Sequence, residues 1–224
     1  LPLENLNSID TRGWELNLGT SGNFGNFMYD ISGNLSWARS KWRKYDEPIY
    51  SDPDQERIYK REGRWTDVRY GYISDGLFTS QAEIEALDFT YKDLNGNSSL
   101  RPGDIKYVDL NGDKVLDWKD QKEIGKGTLP TWTYGFNMNF KYHVFDLSAL
   151  FQGAFGYTTY IDLTKAASTL KYDNRWTEKE NNPNSLVARP GGASTNKYYS
   201  DFNNHNTAYL RLKNLSIGYE LPKG

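Results

Sequence analysis

Apolar and polar residues alternate with period two along five stretches of the chain, the signature of strands with one greasy and one wet face. The clearest stretch, 131–141, sets Trp132, Tyr134, Phe136, Met138 and Phe140 against Thr131, Thr133, Gly135, Asn137, Asn139 and Lys141. Stretch 26–38 puts Phe27, Tyr29, Ile31, Leu35 and Trp37 opposite Asn26, Met28, Asp30, Ser32, Asn34 and Ser36. In 144–155, Phe145, Leu147, Ala149 and Phe151 oppose Asp146, Ser148, Leu150 and Gln152; in 12–20, Trp14, Leu16 and Leu18 oppose Glu15 and Asn17. The last stretch, 208–221, changes phase. Leu210 and Leu212 share one parity while Leu215, Ile217 and Tyr219 share the other, which predicts a β-bulge near Lys213 and Asn214.

The connections alternate in length. A Gly/Asn/Ser turn at 20–25 is followed by a long stretch, 39–130, then a tight joint at Tyr142 and His143, then a second long stretch, 156–207. Short turns at one end and long loops at the other are the pattern of a transmembrane β-barrel, with 39–130 and 156–207 as extracellular loops. An antiparallel sheet packed on a soluble core shows the same alternation. Two features favour the membrane: rings crowd the ends of the apolar faces, as interfacial girdles do, and the opposite faces carry Asn, Ser, Thr, Gly and Asp. Closure takes at least ~8 strands. The expected fold is therefore all-β, an antiparallel barrel segment of about five strands from a larger barrel.

Composition narrows the alternatives. Aromatic residues make up 15% of the 224 residues, too many for a disordered chain, and no stretch approaches the ~20 apolar residues of a membrane-spanning helix. The 27 Lys and Arg nearly cancel the 29 Asp and Glu, which argues against nucleic acid as a partner. There is no cysteine, and so no thiol catalysis, zinc-thiolate site or disulfide. The chain opens on Leu1 without a signal-peptide pattern and stops at Gly224 just after a strand-like run, so both ends read as cut.

Two related acidic segments lie in the first long connection, 93–104 and 109–120. The second maps onto a twelve-residue calcium loop. Asp109, Asn111 and Asp113 fill positions 1, 3 and 5, Val115 offers its carbonyl at 7, and Asp117 and Asp120 fill 9 and 12. Calcium is hard and takes six to eight oxygens, so this donor set suits it. Lys114 stands at position 6 where Gly is expected, and Asp120 is shorter than the usual Glu. The competing reading is a turn held by Asx hydrogen bonds alone. In 93–104, Asn97, Ser99 and Arg101 replace charged ligands, and an arginine repels the ion.

Other chemistry is sparse. His143 and His205, the chain's two histidines, have no neighbouring triad pattern and read as solvated; no spacing singles out a carboxylate pair for hydrolysis. Ser80 and Glu83 predict a capped short helix over 80–87. Trp176, Tyr198, Tyr199 and Phe202, in an Asn-dense stretch, form a candidate ligand or partner loop, with rings to stack on a sugar and amides to bond it.

Several stretches resemble the SusC/RagA family of TonB-linked outer-membrane transporters. Segment 103–113 (GDIKYVDLNGD) is similar to that family's GDIKYxDLNGDG. Ile124 and Gly125, Pro130 and the YGF at 134–136 resemble the segment that follows it. The FDLS at 145–148 with FQG at 151–153, the YLRLKNLSIGY at 209–219 and the RGWEL at 12–16 match further family strands, in family order. The resemblance implies the C-terminal part of a plugged barrel in the outer membrane. That family imports oligosaccharides or peptides, with a SusD-like surface lipoprotein as lid and TonB acting through the missing N-terminal part. Import breaks no covalent bond, so no enzyme is expected. The rival expectation is a soluble, secreted, calcium-dependent carbohydrate-binding β-domain.

Overall fold

The computed structural model describes residues 6–94, 96–163 and 168–221. Asn95 of the first acidic segment and the terminal 222–224 lie outside them. In chain order the elements are β1 (Ser8–Phe24), β2 (Phe27–Lys44), α1 (Pro53–Tyr59), β3 (Arg69–Gly71), β4 (Ser74–Leu77), α2 (Gln81–Glu85), β5 (Thr90–Tyr91) and β6 (Ile105–Tyr107). There follow β7 (Val115–Leu116), β8 (Lys122–Gly125), β9 (Trp132–Tyr142), β10 (Phe145–Phe155), β11 (Thr158–Tyr160), α3 (Ser168–Asn174), β12 (Asn204–Asn206) and β13 (Tyr209–Tyr219).

Five strands form one antiparallel sheet in the order β1-β2-β9-β10-β13. Its turns are two residues long. Gly25 takes φ +59 and His143 φ +52, left-handed backbone that a tight hairpin needs and that glycine adopts without strain. The two turns touch, the Asn26 side-chain amide lying 3.2 Å from His143 Nε2. The bulge sits where the alternation slips: Leu150 pairs with Asn214 but Phe151 pairs with Leu212, leaving Lys213 as the extra residue. That one insertion returns Leu210, Leu212, Leu215, Ile217 and Tyr219 to a single face.

β1 and β2 run well past 12–20 and 26–38. Their upper halves pair with each other, and residues 63–66 bond to β2 where β9 has left it: Trp42 donates to the Arg64 carbonyl and Thr66 to the Ser40 carbonyl. The face that carries Trp14 turns here to Asp10, Arg12, Arg39 and Lys41, while Ile9 pairs with Trp42 on the other, so the apolar phase breaks and alternation could not mark the ribbon's end.

The two long connections fold together into a body at the other end of the sheet. Short pairings build it: β3 with β8, β4 with β6, β11 with β12, and β5 parallel to β7. Its core gathers Leu77, Phe78, Ile84, Tyr91, Leu100, Ile105, Tyr107 and Leu116 from the first connection with Trp176 and Ala188 from the second. The expected short helix is α2. Ser80 Oγ accepts the Glu83 N–H, Glu83 Oε2 accepts the Thr79 N–H, and Ile84 points into the core.

Candidate functional site

Register places every paired side chain, and it assembles a continuous apolar band. From β1 to β10 the rows run Trp14–Trp37–Trp132–Phe155 at the loop end and Phe24–Phe27–Tyr142–Phe145 at the turn end. Between them lie Leu16, Leu18, Ile31, Leu35, Phe136, Met138, Leu147 and Phe151, continued on β13 by Leu212, Leu215 and Ile217. Counted inclusively each strand spends eleven residues from row to row, and β9, β10 and β13 are eleven residues long. At about 3.3 Å per residue and a tilt near 45° that makes roughly 25 Å, the height of the lipid-facing band of a barrel.

Both borders are aromatic. At the loop end Trp132 stacks on Phe155 at 5.4 Å and receives Trp14 edge-on at 5.4 Å; at the turn end Phe27 stacks on Phe140 at 5.9 Å and Phe145 lies 5.0 Å from Tyr219. The band is bare: Leu18 is 67% and Ile217 75% exposed. A soluble sandwich would cover these rings with a second sheet. The opposite face carries Asn17, Asn34, Asn137, Ser32, Thr133 and Gln152, groups that stay hydrated.

The loop body is organised around one carboxylate that sequence reasoning passed over. Asp104 is fully buried, and five donors reach it. Oδ1 accepts from Arg189 Nε (2.9 Å), Asn196 Nδ2 (2.8 Å) and the Ala193 N–H (3.0 Å), and Oδ2 from Arg189 Nη2 (3.1 Å) and the Arg101 N–H (2.9 Å). This clasp joins the two long connections. Gly103 before it, at φ +87, leaves room for the Trp176 ring, into which a Cβ would run. A cavity of about 650 Å³ opens beside the clasp, bordered by Ile105, Tyr160, Lys171, Lys197 and Phe202. Burial pushes the Tyr72 hydroxyl up to about 12 and raises those of Tyr91, Tyr107 and Tyr198.

The four rings of the candidate ligand loop do not share one platform. Trp176 packs in the core, Tyr198 stacks on Tyr72 at 4.6 Å, Phe202 lies against the core, and Tyr199 stacks on Tyr160 at 5.1 Å.

The 109–120 loop has the backbone of the expected turn. Asp109 accepts the N–H groups of Gly112 (2.8 Å) and Lys114 (2.9 Å), Asn111 that of Asp113 (2.9 Å), and Asp113 that of Val115 (2.9 Å). Lys114 is forced to φ +65, the strain its place at position 6 foretold. Asp117 and Asp120 are already engaged. They cap a short turn at Trp118–Asp120, Asp117 accepting from Lys119 N–H and the Lys92 ammonium, Asp120 from the N–H groups of Leu110, Asn111 and Asp117. Among the described residues no three acidic groups converge as a metal centre does. Burial, reinforced by the nearby Asp109 charge, lifts the Asp120 carboxyl above its usual range, and its three N–H partners oppose the rise.

The chain is 30% identical to TonB-dependent receptor P3 of Formosa agariphila, over 99% of its own length and 22% of that protein. It is 23% identical to TonB-dependent receptor SusC of Bacteroides thetaiotaomicron, over 96% and 21% respectively. Its fold matches a chain of the RagAB peptide transporter with a TM-score of 0.60 at 17% identity, over 97% of this chain and 23% of that one. The chain is a SusC/RagA-like β-barrel segment. No family model matches it. The SusC/RagA-like segment spans about a fifth of the length of the curated relatives it matches. Its apolar band and its polar opposite face have the arrangement that the outer and inner sides of a barrel wall have. These relatives and neighbours are named as receptors and transporters rather than enzymes.

Proposed function

We propose that this segment forms part of the wall and outer surface of a TonB-dependent importer in the outer membrane. The tight turns lie in the periplasm and the loop body outside, where it meets a SusD-like lipoprotein and an oligosaccharide or peptide cargo. TonB acts through a plug contributed by another part of the receptor. The observation that carries this reading is the eleven-residue apolar band, ringed by aromatic residues at both borders and backed by amides and hydroxyls. Its exposure weighs against a soluble carbohydrate-binding domain. No step in such transport makes or breaks a covalent bond.

Uptake of labelled oligosaccharide and peptide by cells with and without TonB tests the importer, and pull-down of the full-length receptor from detergent-solubilised membranes tests the lipoprotein. TonB-dependent uptake of one cargo and co-purification of a lipoprotein are expected. Recovery of the receptor in the detergent-free soluble fraction overturns the reading.

A second proposal concerns calcium. Asp109, Asn111, Asp113 and the Val115 carbonyl would hold the ion, and Asp117 and Asp120 would join after leaving their N–H partners. The left-handed backbone at Lys114, at the position calcium loops give to glycine, supports it. Calorimetric titration of the receptor should show calcium binding that Asp113→Ala weakens. No heat in the native protein removes the proposal.

A further inference from the structure

The band ends at the Trp14–Trp37 row, but the lipid-side face does not. Two residues further along, Arg12 pairs with Arg39, and two beyond that Asp10 pairs with Lys41. Each such step climbs about 5 Å along the membrane normal at the tilt of a barrel strand. Arg12 and Arg39 therefore stand about 5 Å outside the aromatic border, within the headgroup layer that adds roughly 5–7 Å to each side of the hydrocarbon. Lys41 stands at its outer edge, with a stem long enough to reach back. At the other border β1 and β9 turn directly after Phe24 and Tyr142, so among the described residues these two strands carry no such extension.

The charges on this face are not equally committed. Asp67 spends both oxygens on Arg39, through Nε and Nη2 at 2.9–3.1 Å, and the same guanidinium lies 4.5 Å above the Trp65 ring. Asp10 pairs with Arg12 in an exposed bridge, 42% and 79% accessible, of the kind water already weakens. Lys41 makes no ion pair among the described residues and lies 5.9 Å from Trp65. Trp65 in turn meets Trp37 edge-on at 6.4 Å, continuing the girdle outward. Arg43 and Lys44, both exposed, follow on β2.

We propose that this collar of Arg12, Arg39, Lys41 and Trp65 binds the phosphorylated headgroup of a glycolipid in the outer leaflet. Continuity with the lipid-facing band brings headgroups to this depth, and a phosphate complements the exposed Arg12 and Lys41 while the clasped Arg39 presents a fixed guanidinium. The inference rests on the proposed orientation, with the loop body outside.

The test uses the full-length receptor in nanodiscs containing lipid A, either bis-phosphorylated or dephosphorylated. Native mass spectrometry counts the retained lipid. The native receptor is expected to retain the phosphorylated form selectively. Lys41→Ala and Arg12→Ala should each weaken that retention about fivefold, with the heat-modifiable gel shift of the folded barrel unchanged. Equal retention of both forms, retention unaffected by the substitutions, or equal competition by phosphatidylglycerol overturns the proposal. The Lys44→Cys variant probed with a membrane-impermeant maleimide reports orientation separately. Labelling in intact cells with no lipid selectivity sinks the collar alone, and labelling only after lysis sinks the orientation and the collar with it.

Discussion

The sheet and the loop body draw on the same aromatic stock and use it in opposite ways. In the sheet, Trp14, Trp37, Trp132, Phe145 and Tyr219 line one uncovered face, held by backbone ladders. In the loop body, Phe78, Tyr91, Tyr107 and Trp176 point inward, and a fully buried carboxylate ties the layers together. One is an inside-out protein, the other an ordinary globular core carried on its rim. Stress that acts on buried polar groups should open the body and spare the sheet, while stress on the lipid face should do the reverse.

Alkali should give the largest separation. Four loop-body tyrosines have hydroxyls raised by burial, Tyr72 to about 12 from an ordinary 10.0. A raised tyrosine pKa means that the fold favours the neutral phenol. Its contribution is whole below pH 10 and is lost as pH climbs through about 12. Between those values, near-ultraviolet tyrosine ionisation should rise together with proteolysis of the loops, while the heat-modifiable mobility of the barrel persists. Simultaneous loss of both would erase the distinction.

Next comes the clasp. Asp104→Ala strands Arg189, Asn196 and two backbone N–H groups, and breaking one side of a buried ion pair costs about 3–5 kcal/mol. Hydrogen exchange should accelerate throughout the loop body and stay unchanged in β9 and β10. A body no less protected than the native one would show that the clasp adds little.

The sheet offers the reverse experiment. Leu18→Arg places a charge in the middle of the band, at a cost of about 2–4 kcal/mol, whereas Asn17→Arg one residue away faces the polar side and should be nearly neutral. Denaturant titration in detergent reads both. Equal costs would mean that the two faces are misassigned.

These regions were unequally legible in the amino-acid pattern. The band could be read because a period of two repeats over eleven residues, and even the slip at Lys213 pointed to its bulge. The loop body could not. Its strands are two to four residues long, too short to show a period, and its decisive contact joins Asp104 to a residue 85 positions away. Trp176 looked like a surface ring because its neighbours are polar. What buries it is the space left by Gly103, which no local pattern reveals. The outer ends of β1 and β2 were missed because the face that is apolar up to Trp14 and Trp37 turns charged at Arg12 and Arg39, and the period breaks there. The acidic loop was half legible: spacing identified the turn around Asp109, while the short capped turn that Asp117 and Asp120 also hold depends on Leu110 and Lys119 backbone directions.

The smallest expected effect is also the one that probes the loop body's weakest point. Lys114 holds φ +65 with a side chain that disfavours it, a cost of roughly 1–2 kcal/mol, and its ammonium reaches Asp88 only at 3.7 Å across an exposed gap. Lys114→Gly removes the strain and gives up little charge pairing, but glycine loses more freedom on folding, so the net gain should be about 1 kcal/mol. Hydrogen exchange at Gly112, Lys114 and Val115, whose N–H groups close the turn, should slow by a factor of about five. Removing the ammonium also takes a positive charge out of the acidic loop, so any calcium affinity of the loop should rise with the same substitution. A turn that exchanges faster in the glycine variant would mean that the Lys114 side chain holds the loop together rather than straining it.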